Sequence, residues 1–91
     1  MEIPNGKVVL QFTASWCGPC RVLLPRIEKI MKDAPAEWIL VDVDAEPGMR
    51  EEYNVLSVPT VVLLNDGEEV SRHIGAPAAT AVQKFISSLV S

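Results

Sequence analysis

The chain has 91 residues, of which 48% are apolar, and twelve acidic against eight basic residues give a net charge of −4. This length predicts a single domain, residues 1–91, with a small core. The acidic balance argues against a protein that follows nucleic-acid phosphates. No apolar run approaches the roughly 18 residues of a membrane span. The first residues lack the pattern of a signal peptide, so we expect the reducing environment of the cytoplasm.

The first part of the chain predicts a buried strand that leads into a helix. Residues 7–13 are β-branched, aromatic and almost continuously apolar, which is typical of a strand buried on both faces. Residues 14–20 form a loop turning into a helix, with Pro19 in the first turn, where its missing N–H costs nothing. Pro25 should kink this helix, and residues 33–37 should end it. Its apolar face is marked by Leu23, Ile27, Ile30 and Met31.

The middle of the chain predicts a second strand and a short helix. Residues 38–43 (WILVDV) read as another buried strand, and residues 44–48 as a loop. Residues 49–53 can form a short helix. Residues 54–59 are expected to be irregular.

The last part predicts a hairpin and a final helix. Residues 60–64 (TVVLL) are a third strand, and the Asn-Asp-Gly sequence at residues 65–67 is a hairpin turn signal. Residues 68–74 return as an antiparallel edge strand with charges suited to an edge. Residues 75–77 break the chain, and a final amphipathic helix follows. Its apolar face is marked by Val82, Phe85, Ile86 and Leu89.

The element order is β-α-β-α-β-β-α, which predicts an α/β fold. A strand, helix and strand in succession make a right-handed parallel crossover, and the late hairpin adds antiparallel strands. We therefore expect a mixed four-stranded sheet with helices on both faces.

The only two cysteines, Cys17 and Cys20, have C-x-x-C spacing. A disulfide scaffold needs more cysteines. A zinc site needs four ligands, and the one histidine, His73, is distant in sequence and reads as an exposed or edge-strand side chain. No metal is therefore expected. Structural thiols and metal binding stay open as minor alternatives to redox chemistry.

A C-x-x-C sequence between a buried strand and a helix is the context of a redox pair. Thiol–disulfide exchange needs one thiolate that attacks and a second thiol that resolves the mixed disulfide. The first cysteine lies at the helix N-terminus, where amide N–H groups and the helix dipole stabilise a thiolate and lower its pKa. Cys17 is therefore the predicted nucleophile and Cys20 the predicted resolving thiol, with Gly18 and Pro19 allowing a tight start of the turn.

These residues resemble the thioredoxin family. Residues 16–20 (WCGPC) match its active-site motif, and the likeness continues from about residue 7 to the C-terminus. Other matching positions are Phe12 to Ser15, Pro25, Val43-Asp44, Val58-Pro59-Thr60, Asp66-Gly67 and Gly75-Ala76. The resemblance implies a thioredoxin fold.

The resemblance also implies roles around the cysteines. Pro59 would be cis and face the cysteine pair, and the Val58 backbone would pair with an extended substrate segment. Asp44 would accept a hydrogen bond from the Trp16 indole. The apolar substrate surface would comprise Trp16, Val58, Pro59, Gly75 and Ala76. Trp38, in contrast, reads as a packing residue.

Two departures from the family pattern stand out. The usual N-terminal strand and helix are absent, which implies four strands where the common form has five, and one less covered face. In addition, Gln11 stands where the family usually carries a buried aspartate, and Leu40 stands near the position of the lysine often paired with it. We expect Gln11 to be buried and hydrogen-bonded, because an unpaired buried amide costs about 1–3 kcal/mol. Gln11 cannot take the Cys20 proton, so that step would need water or another route.

The resemblance implies a general protein-disulfide reductase that works as a monomer without a bound cofactor. Its oxidised form would be recycled by a thioredoxin reductase, a flavoprotein drawing on NADPH. Two alternatives remain at this point: an oxidase or isomerase, and a binding module that uses the same surface without turnover.

Overall fold

The computed structural model describes residues 2–75 and 79–90. Seven elements follow one another in the expected order. They are β1 (Lys7–Thr13), α1 (Gly18–Met31), β2 (Glu37–Asp42), α2 (Pro47–Glu52), β3 (Thr60–Asn65), β4 (Glu68–Ile74) and α3 (Ala79–Val90). Among the described residues, no helix is both long and apolar enough to cross a membrane.

The strands form a mixed four-stranded sheet in the order β2-β1-β3-β4. β1 pairs in parallel with β2 and antiparallel with β3, and β4 closes the other edge as the antiparallel partner of β3. β1 and β3 are therefore the central strands. Their apolar sequences fit that position, because a central strand packs side chains on both faces.

The expected element bounds agree with the structure to within two residues. β1 and β4 have the expected limits, β2 begins one residue early, and α2 begins two residues early at Pro47. Proline is favoured in the first helical turn, which explains the early start of α2. α1 continues through Pro25 as one helix.

The prediction that residues 38–43 form a buried strand is wrong. β2 pairs only with β1 and is an edge strand in the described part of the chain. Only Val41 of β2 is buried, and Leu40 is 44% exposed. Its apolar sequence is typical of a central strand, but sequence alone did not show that its other edge pairs with no strand among the described residues.

The two faces of the sheet carry two apolar clusters. On one face α1 and α3 cover Val9, Val61 and Leu63. On the other face α2 contributes Met49 and packs over the inward side chains of β1 and β3. The sequence predicted one less covered face without indicating which. On this face the inward side chains of β1 and β3 have no exposed surface, because Ile3, Tyr53, Val55 and Val58 add to the packing. The fully buried side chains of β1 and β3 on this face are Val8, Leu10, Phe12, Val62 and Leu64.

A two-residue turn joins β3 to β4. Asp66 and Gly67 both have positive φ, 52° and 85°, which is the backbone of the tight hairpin turn that the sequence predicts. The Asp66 carboxylate accepts the Gly6 N–H at 2.8 Å, and the Asp66 N–H donates to the Gly6 carbonyl at 2.9 Å. The turn therefore also fixes the chain where it enters β1.

Arg72 of β4 holds the loop that follows α2. Its guanidinium donates to both carboxylate oxygens of Glu69, at 2.6 and 2.7 Å, and to the Tyr53 carbonyl at 2.8 Å. The hydrogen bonds from Arg72 lower the pKa of the Glu69 carboxyl below its ordinary value. The edge strand is thus tied to the segment that leads into the Val58-Pro59 loop.

Two glycine substitutions should have opposite effects on stability. A Cβ at Gly67 or Gly48 meets no atom within 4 Å, but only Gly67 has positive φ. Gly67→Ala should lower the free energy of unfolding by about 1 kcal/mol through backbone strain, and Gly48→Ala in α2 should raise it by about 0.5 kcal/mol. Urea denaturation of both variants tests this, and equal shifts of the same sign would contradict it.

Glu69→Gln should reduce stability in a pH-dependent way. Because folding lowers the carboxylate's pKa, its contribution is present above the ordinary value of 4.5 and is lost as the pH falls through the folded value. We expect a loss of about 0.5 kcal/mol at neutral pH, modest because the pair is partly exposed, and no loss in acid. Glu68→Gln, on the same strand, is the matched control. A loss independent of pH would contradict this assignment.

Candidate active site

Cys17 and Cys20 lie where β1 passes into α1 and are joined by a disulfide, with a Cα–Cα distance of 5.3 Å. Cys17 is the N-cap residue of α1, and its sulfur accepts the backbone N–H of Cys20 at 3.2 Å. Cys17 is 4% exposed and Cys20 is 1% exposed. The sulfur of Cys17 therefore receives an N–H at a helix N-terminus, the arrangement that stabilises negative charge.

Trp16 lies beside the cysteines and is 65% exposed. Its indole Nε1–H donates to Asp44 Oδ2 at 2.8 Å, which is the hydrogen bond expected from the sequence. Asp44 is held in turn by Asp42, whose Oδ1 accepts the Asp44 N–H at 2.9 Å. The large exposed ring is thus fixed by a chain of two carboxylates at the end of β2.

The Val58-Pro59 bond is cis, as expected, and leads into β3. The Pro59 carbonyl accepts the N–H of Gly75 at 2.8 Å, and Val58 packs against the cluster that contains both cysteines. The loop is braced by the Thr60 hydroxyl, which donates to the Ser57 carbonyl at 2.7 Å. The structure thus brings together Trp16, both cysteines, Val58, Pro59 and Gly75, whereas Ala76 lies outside the described residues.

Leu56 is an apolar residue of this loop that the sequence reading passed over, and it is 82% exposed. Arg50 fixes the backbone around it, because its guanidinium donates to the Val55 carbonyl at 3.0 Å and to the Leu56 carbonyl at 3.4 Å. The sequence offers one indication that Leu56 belongs to this surface, which is its position two residues before Val58. An exposed leucine on a fixed backbone adds to the apolar surface of the loop that leads to Val58 and Pro59.

Gln11 is completely buried in the central strand β1, as predicted. Its Oε1 accepts the indole Nε1–H of Trp38 at 2.9 Å, while its Nε2 has no hydrogen-bond partner among the described residues. Trp38 packs against the cluster of α1 and α3, as expected, and its hydrogen bond to Gln11 was not foreseen. The position thus carries a neutral amide with its one acceptor oxygen already used.

The remaining candidates form no further site. His73 lies in β4 with its ring 5.6 Å from that of Phe85, measured between centroids. Within the described residues, no group of three or more histidine, cysteine, aspartate or glutamate side chains could hold a metal ion. The chemical capacity of the site therefore lies in the two sulfurs, which can break and re-form one disulfide.

Comparison with known proteins gives a consistent result. The family model described as Thioredoxin matches residues 1–88. The thioredoxin of Chlamydia trachomatis is 42% identical over 87 residues, which cover 94% of this chain and 85% of that protein. A bifunctional thioredoxin reductase/thioredoxin of Mycobacterium leprae is 35% identical over 88 residues, covering 94% of this chain and 19% of that longer protein.

Solved structures show the same fold. A mutant thioredoxin of Halobacterium salinarum superposes with a TM-score of 0.88 at 36% identity, covering 96% of this chain and 77% of the other. Oxidised mitochondrial thioredoxin 3 of Saccharomyces cerevisiae gives 0.85 at 38% identity, with 93% and 80% covered. The expectation of a thioredoxin fold with a mixed four-stranded sheet is confirmed.

Gln11→Asp should raise the pKa of the cysteine thiols in the reduced protein, since a buried negative charge disfavours a nearby thiolate. The rate of alkylation by iodoacetamide, measured against pH, reports these values. Gln11→Asn is the matched control, because it shortens the side chain equally without adding charge. Unchanged thiol pKa values in Gln11→Asp would show that this position does not influence the pair.

Proposed function

Since the chain belongs to the thioredoxin family, we propose that it serves as a general reductase of protein disulfides. Members of this family are thiol–disulfide oxidoreductases that act on disulfide substrates, and the cysteine pair of this chain fits that activity. The observation that carries the proposal is the Cys17–Cys20 disulfide at the start of α1, with the Cys17 sulfur accepting a helix N–H.

The two cysteines have different roles in the proposed reaction. In the reduced protein the Cys17 thiolate attacks a substrate disulfide, releases the first substrate thiol and forms a mixed disulfide. Cys20 then attacks Cys17, and the second substrate thiol leaves. The assignment rests on the helix N-terminus, because Cys17 accepts the amide N–H there, whereas Cys20 lies inside the first turn.

The apolar surface around the cysteines supports a protein substrate. Trp16 is exposed and is oriented by its hydrogen bond to Asp44. Val58 forms the cis bond with Pro59, and the Gly75 N–H donates to the Pro59 carbonyl. An extended segment of a substrate would pair with the Val58 backbone as an added strand. Main-chain pairing tolerates many sequences, which fits a general reductase.

The proposal includes the partners of the reaction. Thioredoxins are reduced by thioredoxin reductase, and the Mycobacterium leprae relative joins both functions in one protein. We propose that a flavoprotein reductase drawing on NADPH recycles this chain, and that the chain itself binds no cofactor. A monomeric, single-domain protein in the cytoplasm fits this role, because a reductase works where thiols are kept reduced.

The reduction potential of the Cys17–Cys20 pair is the first measurement. We expect a value near −270 mV, as in thioredoxins. The redox state of the pair can be measured by Trp16 fluorescence in graded mixtures of reduced and oxidised dithiothreitol. Cys17→Ser should abolish reduction of insulin disulfides, and Cys20→Ser should accumulate the mixed disulfide. A potential near about −120 to −180 mV would favour an oxidase or isomerase, and full cellular activity of Cys17→Ser would favour a binding module.

A further inference from the structure

A cavity of about 210 Å³ lies beside Cys20. Its walls are residues 13–15 at the end of β1, the α1 side chains Cys20, Arg21 and Leu24, and Asp42 at the end of β2. Asp42 reaches this place because β1 and β2 are parallel and Thr13 pairs with Asp42, so that both strands end at the same edge. Cys20 and Asp42 thus line one space.

The cavity holds two charged groups among the residues that line it, Asp42 and Arg21. Asp42 uses Oδ1 to accept the N–H groups of Asp44 at 2.9 Å and Ala45 at 3.4 Å, which leaves Oδ2 outside these turn hydrogen bonds. Arg21 donates through Nη2 to the Ser15 carbonyl at 2.9 Å. A carboxylate oxygen is an acceptor and can take up a proton.

Resolution of the mixed disulfide requires a proton to leave Cys20. A thiol with an ordinary pKa of about 8.5 is largely protonated at neutral pH, and Cys20 is buried. Gln11 offers no basic group, because neither the oxygen nor the nitrogen of a carboxamide takes up a proton near neutral pH. Asp42 is the one carboxylate among the cavity's lining residues.

We propose that Asp42 accepts the Cys20 proton, through water in this cavity, as Cys20 resolves the mixed disulfide. The volume suffices for water, whose share of liquid volume is about 30 Å³ per molecule. The S–H bond of Cys20 breaks and its proton passes to the Asp42 carboxylate. The Cys20 sulfur bonds to the Cys17 sulfur, the bond from Cys17 to the substrate sulfur breaks, and the leaving thiolate takes a proton from solvent. The cysteine pair is oxidised and the substrate disulfide is reduced.

This role of Asp42 rests on the proposed disulfide reduction, and Asp42→Asn tests it. Asparagine keeps an oxygen that can accept the Asp44 and Ala45 N–H groups, but it is not a base. Asp33→Asn is the matched control: it removes the same charge from an exposed residue beyond the C-terminal end of α1, whereas the cavity lies at the N-terminal end. Asp42→Ser also keeps a turn acceptor and provides a second variant should Asp42→Asn not fold.

The measurement is stopped-flow reduction of a disulfide peptide in single turnover, as a function of pH. The plateau rate at saturating peptide reports the step in which Cys20 resolves the mixed disulfide. The Cys20→Ser protein reports the attack of Cys17 on the peptide alone. For Asp42→Asn we expect resolution at least about tenfold slower near pH 6, with the difference closing by about pH 9.5, where the thiol ionises unaided. Attack should be unchanged when Asp42→Asn is placed in the Cys20→Ser protein.

Three outcomes would overturn the role of Asp42. They are coincident profiles of Asp42→Asn and wild type, a loss of equal size at every pH, and the same loss in Asp33→Asn. Each of these leaves disulfide reduction itself intact. A wild-type protein that does not reduce the peptide would instead overturn the proposed function.

Discussion

The hydrogen bond from the Cys20 N–H to the Cys17 sulfur is the interaction on which the site depends. It caps α1, so the same sulfur that satisfies an orphan helix amide is also the reactive atom. The cap forms there because Cys17 is the last residue of the short connection between β1 and α1. Fold and chemistry therefore share one contact, and a change that moves the start of α1 also moves the nucleophile.

Around this cap, hydrogen bonds hold exposed residues of the substrate surface in fixed positions. Asp42 holds Asp44, and Asp44 holds the exposed Trp16, so the aromatic ring is fixed without being buried. In the Val58-Pro59 loop, the Gly75 N–H donates to the Pro59 carbonyl and ties the loop to the end of β4. A surface that is apolar but held by hydrogen bonds loses little conformational entropy on binding a substrate, which suits many weak and brief encounters.

The sequence predicted the element order, the hairpin turn and the cysteine chemistry, because each depends on local signals such as Asp66-Gly67 and the C-x-x-C spacing. It failed where the answer depended on neighbours distant in sequence. The apolar sequence of β2 suggested burial, but only the sheet order shows an edge strand with Leu40 exposed. The Gln11–Trp38 hydrogen bond likewise requires the register of β1 and β2, which no local pattern encodes.

The neutral residue at Gln11 has consequences for both stability and reactivity. A buried carboxylate there would carry a desolvation cost and would oppose formation of a thiolate nearby. Gln11 avoids the charge at the smaller cost of one amide nitrogen without a hydrogen-bond partner among the described residues. The need for a proton acceptor does not disappear with the charge. It can be met at the end of β2, where Asp42 is only partly buried, is already hydrogen-bonded to the Asp44 backbone and lines the cavity beside Cys20. An acid at that rim loses less contact with water than an acid in the sheet interior would.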